Sequence, residues 1–132
     1  MATEELDLET GFALNIKNIY EGRSFEIPFK RWQDSAHTIP ENWPAALDRE
    51  FSVSASVTGN PKLMSLKAST GNITVVTNTL TVICLDKTVA SLITQNLMTG
   101  GREYYYELSS SISGGKSRVD GTGVIAVKFS SI

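Results

Sequence analysis

The strongest constraint on the fold is a strict two-residue alternation over residues 51–58, Phe-Ser-Val-Ser-Ala-Ser-Val-Thr. Apolar side chains occupy every second position, and hydroxyl side chains occupy the positions between them. Because successive side chains on a strand point to opposite faces, this segment is predicted to be a strand with one buried face. The same alternation returns in residues 104–112 and 125–129. Repeated strands of this kind are typical of a two-layer antiparallel β domain.

The segment between Asp86 and Gly101 has helical spacing instead of the two-residue alternation. Asp86 is a residue type that caps helices, and Gly100-Gly101 is a typical helix stop. The apolar positions between them have the spacing of one helix face: Val89, Leu92, Ile93 and Leu97. The sequence therefore predicts an all-β sandwich with one short helix at about 87–98.

The length of 132 residues suits one domain with a single core. Residues 1–11 are acidic and polar and are predicted to be a flexible N-terminal arm, followed by a single sandwich domain over residues 12–132. Within that domain, Pro28 lies in an alternating segment but lacks a backbone donor. The strand that contains it is therefore predicted to lie at a sheet edge.

Composition argues against several classes of partner. The chain has 12 basic and 14 acidic residues, and its densest basic stretch is only Lys30-Arg31. Nucleic acid is therefore not an expected partner, because phosphate neutralisation needs clustered Lys and Arg. No apolar run approaches the ~20 residues that span a bilayer, so no membrane partner is expected. The N-terminus also lacks the features of a signal peptide, so synthesis in a reducing cytoplasm is expected.

Cys84 is the only cysteine, which excludes an internal disulfide and a cysteine-based zinc site. It follows Val82 in an apolar alternation, so a buried thiol is expected. Residues 121–126, Gly-Thr-Gly-Val-Ile-Ala, match the letters of a dinucleotide fingerprint. The required following helix and distant acidic residue have no place before Ile132, so no cofactor is expected.

The segment 32–48 loses all periodicity and is longer than most connections in a compact domain. It contains Asp34, His37 and Glu41, residue types that bind metals or transfer protons. A structural zinc site needs four ligands, and a nucleophilic site needs a base oriented by a third group. These three residues match neither framework. No catalytic or metal residue is therefore predicted, and a hydrolase that uses His37 is the weakest of three function classes.

Three aromatic residues leave two interpretations open. Trp32 and Trp43 flank the proline-containing loop, and Tyr105 lies in the strand 104–112. Exposed, they would anchor a protein partner or stack on a sugar, since Trp and Tyr combine apolar area with a polar tip. Alternatively, both tryptophans fold back and cover one end of the sandwich.

Three stretches together resemble a known family. They are Glu21-Gly-Arg-Ser-Phe-Glu-Ile-Pro-Phe, Asn72-Ile-Thr-Val through Leu85-Asp-Lys-Thr-Val-Ala-Ser-Leu, and Arg102-Glu-Tyr-Tyr-Tyr-Glu-Leu through Asp120-Gly-Thr-Gly-Val-Ile-Ala-Val. Their order resembles the small immunoglobulin-like domains of tailed-bacteriophage structural proteins, including the N-terminal domain of baseplate upper proteins. The segment after Phe29 departs from that pattern, because the long loop replaces a short turn. No family site residues are therefore transferred.

The resemblance implies an immunoglobulin-like antiparallel β-sandwich and a non-enzymatic virion protein. The expected role is a tail, baseplate or fibre adaptor, or a capsid decoration protein, that contacts other virion proteins or further copies of itself. Such a protein is located in the virion after synthesis in the host cytoplasm. The alternative is a stand-alone carbohydrate-binding sandwich that uses Trp32, Trp43 and Tyr105 to bind a glycan.

The main contact with partners is expected on the loop between Trp32 and Pro44, which also contains Ile39. Tyr105 is a further candidate. The arm is expected to help, because Leu6 and Leu8 alternate with acidic residues as an added strand does. An extended arm can pair with a neighbouring molecule's exposed sheet edge. The competing interpretation is a disordered arm and a loop that packs on its own domain.

Overall fold

The computed structural model of the chain describes residues 2–3, 6–8, 16–20, 24–34, 36–56, 58, 62–84 and 102–128. These residues form ten β-strands. In chain order the strands are β1 (Ala2–Thr3), β2 (Leu6–Leu8), β3 (Ile16–Tyr20), β4 (Phe25–Arg31), β5 (Asp48–Ser54), β6 (Lys62–Lys67), β7 (Ile73–Val76), β8 (Thr79–Cys84), β9 (Arg102–Ile112) and β10 (Lys116–Lys128).

The strands form two sheets. In the first, β4 pairs with β8 and β8 pairs with β7, while β1 and β2 both pair with the other side of β4. The second has the order β3-β10-β9-β5-β6. The pairs β4–β8, β8–β7, β9–β10, β5–β9 and β5–β6 are all antiparallel. This arrangement places β4, β7 and β8 opposite β5, β9 and β10, as in immunoglobulin domains. The predicted all-β, immunoglobulin-like antiparallel sandwich is confirmed.

The core lies between the sheets and follows the predicted alternation. Phe51 and Val53 of β5 are fully buried, as are Phe29 of the first sheet and Leu108 of the second. Phe29 lies 6.3 Å from Phe51 and 6.1 Å from Tyr106, measured between ring centroids. Three rings therefore join the two sheets at the centre, where aromatic contacts add to the gain from burial.

The predicted burial of Cys84 is confirmed, since its side chain is fully covered in the core. Its Sγ lies 3.8 Å from the Sδ atom of Met64. The thiol is therefore a packing group of the interior.

The strand predicted over residues 51–58 ends earlier than expected, at Ser54. The pairing with β6 shifts register between Val53 and Ser54. Ser54, which alternation placed on the solvent side, is buried, and its hydroxyl donates to the carbonyl oxygens of Ser56 at 3.3 Å and Tyr105 at 3.4 Å. The extra residue at this shift is Leu63 of β6, and Ser54 stays opposite Tyr105 of β9, so Ser54 keeps its outer-face position and is nevertheless buried.

The edge position predicted for the Pro28 strand is wrong. β4 is an interior strand, with β8 on one side and the two short strands β1 and β2 on the other. β1 pairs with Phe25 and Glu26, and β2 pairs with Phe29 to Arg31. The two paired stretches therefore flank Pro28, which supplies no backbone donor to either neighbour.

The described parts of the arm, β1 and β2, run parallel to β4 of the same chain. This differs from the expectation that the arm adds to a neighbouring molecule's sheet. The pairing of β3 with β10 is also parallel. The division into an arm at 1–11 and a domain at 12–132 stays a prediction. The helix expected at about 87–98 lies outside the described residues.

β9 and β10 form an antiparallel hairpin with a short turn. β9 and β10 pair from Ile112 and Lys116 onward, so only Ser113–Gly115 lie between them. Gly114 and Gly115 have φ angles of 81° and 72°, which side chains rarely adopt. Further along, the register shifts between Val119 and Gly121. Asp120 is therefore the extra residue of a β-bulge.

Candidate interaction surface

The loop that follows β4 is an ordered structure at one end of the sandwich. Trp32 forms an isolated antiparallel bridge with Pro40, and the backbone N–H of Gln33 donates to the carbonyl oxygen of Ile39 at 2.8 Å. The two sides of the loop therefore continue from β4 as a short hairpin. We call residues 32–40 the loop tip.

Asp34 holds the loop tip together. Its Oδ1 atom accepts from the backbone N–H groups of Thr38 and Ile39, both at 3.0 Å, and its Oδ2 accepts from the Thr38 hydroxyl. The hydrogen bond from the Thr38 hydroxyl, followed by that from the Ile39 backbone, lowers the pKa of Asp34 below its ordinary value of 3.8. A charged carboxylate thus organises the tip from within.

The outer side of the tip carries an exposed apolar residue. Ile39 is 51% exposed, while Trp32 is half-buried. The Trp32 ring stacks on His37 with 5.6 Å between centroids, and His37 has a φ of 56°. Trp32 and Ile39, two residues that the sequence predicts as partner contacts, thus lie on the two paired sides of the loop tip.

Trp43 lies beneath this tip and is only 6% exposed. Its indole N–H donates to the carbonyl oxygens of Asn78 at 3.0 Å and Phe29 at 3.3 Å. Its backbone N–H donates to Thr77 at 3.1 Å. For this residue, the interpretation that the tryptophan covers one end of the sandwich describes the structure.

Two arginine guanidinium groups lie over the Trp43 ring, that of Arg31 at 5.2 Å and that of Arg49 at 5.7 Å from its centroid. Such cation–π contacts are strongest where water is excluded. Arg31 also pairs with Glu41 at 3.3 Å between Nη2 and Oε2. Trp43 is therefore the anchor that joins the loop to both sheets.

Behind Trp43, a buried polar network joins β5, β9 and β10. Arg49 is 8% exposed, and its Nη1 donates to the Ser110 hydroxyl at 3.3 Å. That hydroxyl donates to Asp120 Oδ2, and Arg118 Nε donates to Asp120 Oδ1 at 2.8 Å. Burial lowers the pKa of Arg49, opposed by the charge of Asp120. The bulge at Asp120 thus supplies the carboxylate that the buried arginine needs.

The remaining predicted contact residues lie elsewhere. Tyr105 is 37% exposed on the outer face of the second sheet, since its neighbours Tyr104 and Tyr106 point into the core. Leu8 lies on β2 opposite Arg31, next to the start of the loop tip, and Leu6 lies opposite Phe29. The three aromatic residues proposed for glycan stacking do not share one exposed surface, because Trp43 is buried between the sheets.

The residues considered for metal or acid–base chemistry have other roles. Asp34 binds the loop backbone, Glu41 pairs with Arg31, and His37 stacks on Trp32. Within the described ranges, no three His, Cys, Asp or Glu side chains are grouped as metal ligands. Likewise, none of the helices among those residues is long and apolar enough to cross a membrane.

Sequence reasoning missed two features of this end of the molecule, the burial of Arg49 and the exposure of Val76. Arg49 has the same parity as Phe51 and Val53, so alternation already placed it on the buried face. Val76 is 69% exposed at the end of β7. The uncharged run Ile73-Thr-Val-Val, which shows no alternation at its end, was the available signal.

The chain matches no protein-family model and no curated protein sequence. Among solved structures it is similar to the N-terminal domain of phage TP901-1 ORF48, with a TM-score of 0.52 and 13% sequence identity. The similarity covers 98% of this chain and 98% of that chain. The resemblance to a phage domain, predicted from the three stretches quoted above, is confirmed at the level of the fold.

Proposed function

We propose that the chain is a non-enzymatic structural protein of a tailed-phage particle and acts through protein–protein contacts. The observation that carries this proposal is the shared fold over 98% of both this chain and the phage TP901-1 domain. A fold alone does not define a function, so the surface must supply the rest. The expected roles are those of a tail, baseplate or fibre adaptor, or of a capsid decoration protein.

The loop tip is the contact surface that we propose. Ile39 is exposed, and Asp34 fixes the backbone that presents it through bonds to Thr38 and Ile39. An already ordered apolar residue loses little conformational entropy when a partner covers it. This favours a preformed docking point for another virion protein.

Trp43 and Tyr105 have different roles in this proposal. Trp43 is assigned to holding the tip in position, because its ring is buried and its indole N–H is bonded. Tyr105 stays a candidate for a second contact on the outer face of the second sheet. No observation favours a glycan as the ligand.

The test uses two exposed apolar residues in a phage whose genome encodes the chain. Ile39→Asp adds a charge at the loop tip, whereas Val119→Asp adds one at a residue that is 57% exposed on β10. Both variants are expected to fold, which circular dichroism checks. Particles are then purified, and the amount of each variant per particle is measured by quantitative mass spectrometry.

Loss of the Ile39 variant from particles, with normal incorporation of the Val119 variant, supports the proposed surface. Normal incorporation of both overturns the surface but not the virion role. Absence of the unmodified chain from purified particles overturns the virion role itself.

A further inference from the structure

In the part of the chain that the structure describes, β7 lies at one edge of the first sheet, and its own residues have no feature that blocks further pairing. Its residues Ile73-Thr-Val-Val include no charge and no proline. Edge strands are commonly protected by lysine, proline or a bulge. β6, which lies at an edge of the second sheet, begins with Lys62 and ends with Lys67. Of these two strands, only β7 lacks a lysine.

The backbone of β7 offers hydrogen-bonding groups outward at alternate residues. The N–H of Ile83 in β8 donates to the carbonyl oxygen of Asn72 at 2.7 Å, so Asn72 directs its carbonyl toward β8. Because antiparallel pairs alternate, Thr74 and Val76 also direct their backbone groups toward β8. Ile73 and Val75 therefore direct theirs outward.

The side chains of this edge are also accessible. Val75 is 38% and Val76 is 69% exposed, and Thr74 is exposed as well. Single exposed apolar residues are common on proteins, but two together on an unprotected edge favour strand addition.

We propose that β7 pairs antiparallel with β7 of a second copy, about a two-fold axis at Thr74. In that register Ile73 lies opposite Val75, and both supply outward backbone groups to the new ladder. Self-pairing brings no like charges together on β7. Self-pairing of β6 about its centre would instead bring Lys62 of one copy next to Lys67 of the other, and these like charges repel.

The small buried area of this contact determines whether it can hold two copies together on its own. A four-residue ladder is only about 13 Å long. It buries much less than the roughly 1,000 Å² typical of a stable interface. The self-pairing is therefore a weak contact that adds to others where copies already lie side by side. This property does not depend on the phage assignment, and it is measured on the isolated protein.

Cysteine trapping tests the register directly. In the proposed pairing the two Thr74 residues face each other as a non-hydrogen-bonded pair, with Cβ atoms about 4.5–5.5 Å apart. That is near the spacing of a disulfide. Two Val76 residues would be offset by about 13 Å along the ladder. Thr74→Cys is therefore the probe and Val76→Cys is the matched control, with the native Cys84 buried in both.

Under oxidised glutathione, the Thr74→Cys protein is expected to form a disulfide dimer more than about tenfold faster than the Val76→Cys protein, because pairing raises the effective thiol concentration. Adding Val75→Pro, which removes an outward donor, should slow the Thr74→Cys protein to the control rate. Equal rates for the two single variants, or no dimer at Thr74, would overturn the proposal. If the proline variant fails to fold, the two single variants still decide the question.

Discussion

Trp43 donates its indole hydrogen bond to the carbonyl oxygen of Asn78 at 3.0 Å, and the two residues are 35 positions apart in the chain. The bond joins the loop after β4 to the turn between β7 and β8. Because that turn also accepts the backbone N–H of Arg31 at 3.0 Å, three segments meet at this point. The end of the sandwich that presents the loop tip therefore depends on one buried ring.

Replacing that ring is expected to lower the stability of the whole domain. Trp43→Ala removes a large buried side chain and should lower the free energy of unfolding by about 3–5 kcal/mol. Trp32→Ala should cost less, because Trp32 is only half-buried. Urea unfolding followed by tyrosine fluorescence and circular dichroism measures both. A larger loss for Trp32→Ala would contradict the assignment of Trp43 as the anchor.

Acidic pH should destabilise the hydrogen-bonded structure of the loop tip. The pKa of Asp34 is lowered in the folded state, so its carboxylate stabilises the tip above its ordinary pKa of 3.8. This contribution is lost as the pH falls through the lower folded-state value. Amide hydrogen exchange at Thr38 and Ile39 should therefore lose protection in acid before the core strands do. Asp34→Ala should remove the same protection at neutral pH, and unchanged exchange in that variant would refute the role of Asp34.

The Asp120 carboxylate is expected to matter far more than a surface ion pair. Asp120→Ala removes the carboxylate that pairs directly with Arg118 and is connected to the buried Arg49 through the Ser110 hydroxyl, and loss of such a partner costs about 3 kcal/mol. Lys62→Ala breaks the exposed pair with Glu50, whose atoms are 3.2 Å apart, and should cost less than about 1 kcal/mol. Chemical denaturation of the two variants compares them. Equal losses would show that the network is not buried in solution.

A charge in the core should prevent folding. Val53 is fully buried between the sheets, so Val53→Asp places an unpaired carboxylate in an apolar interior. Val119→Asp is the matched control, since Val119 is 57% exposed. The first variant should show the circular dichroism of an unfolded chain, and the second should match the unmodified protein. A folded Val53→Asp protein would contradict the described core.

Alternation identified the core correctly because burial of one strand face depends only on parity. Phe51 and Val53 are buried as predicted. The burial of Ser54 and the bulge at Asp120 were not predicted, and both residues lie at register shifts between paired strands. A bulge arises from the pairing of two strands, and a single sequence does not show which residue is the extra one.

The loop after β4 shows the same limit of prediction from a single sequence. Composition identified residues 32–44 as unusual, but it left open whether each tryptophan faces a partner or its own domain. The answer for Trp43 depends on Asn78, whose proximity arises only in the folded sheet. The sequence shows that Pro28 lacks a backbone donor, which led to the edge prediction. It does not show that two short strands of the N-terminal arm pair with β4 on either side of Pro28.

The parallel course of the arm along β4 has a practical consequence for handling the molecule. Ala2 lies beside Phe25 at the start of β4, and Lys128 lies beside Tyr20, just before that strand. Both are at the end of the sandwich opposite Trp32. A surface tether attached near Ala2 or Lys128 would therefore orient the protein with its loop tip facing outward. Sensor-chip immobilisation at either position should leave that surface open to a partner in solution.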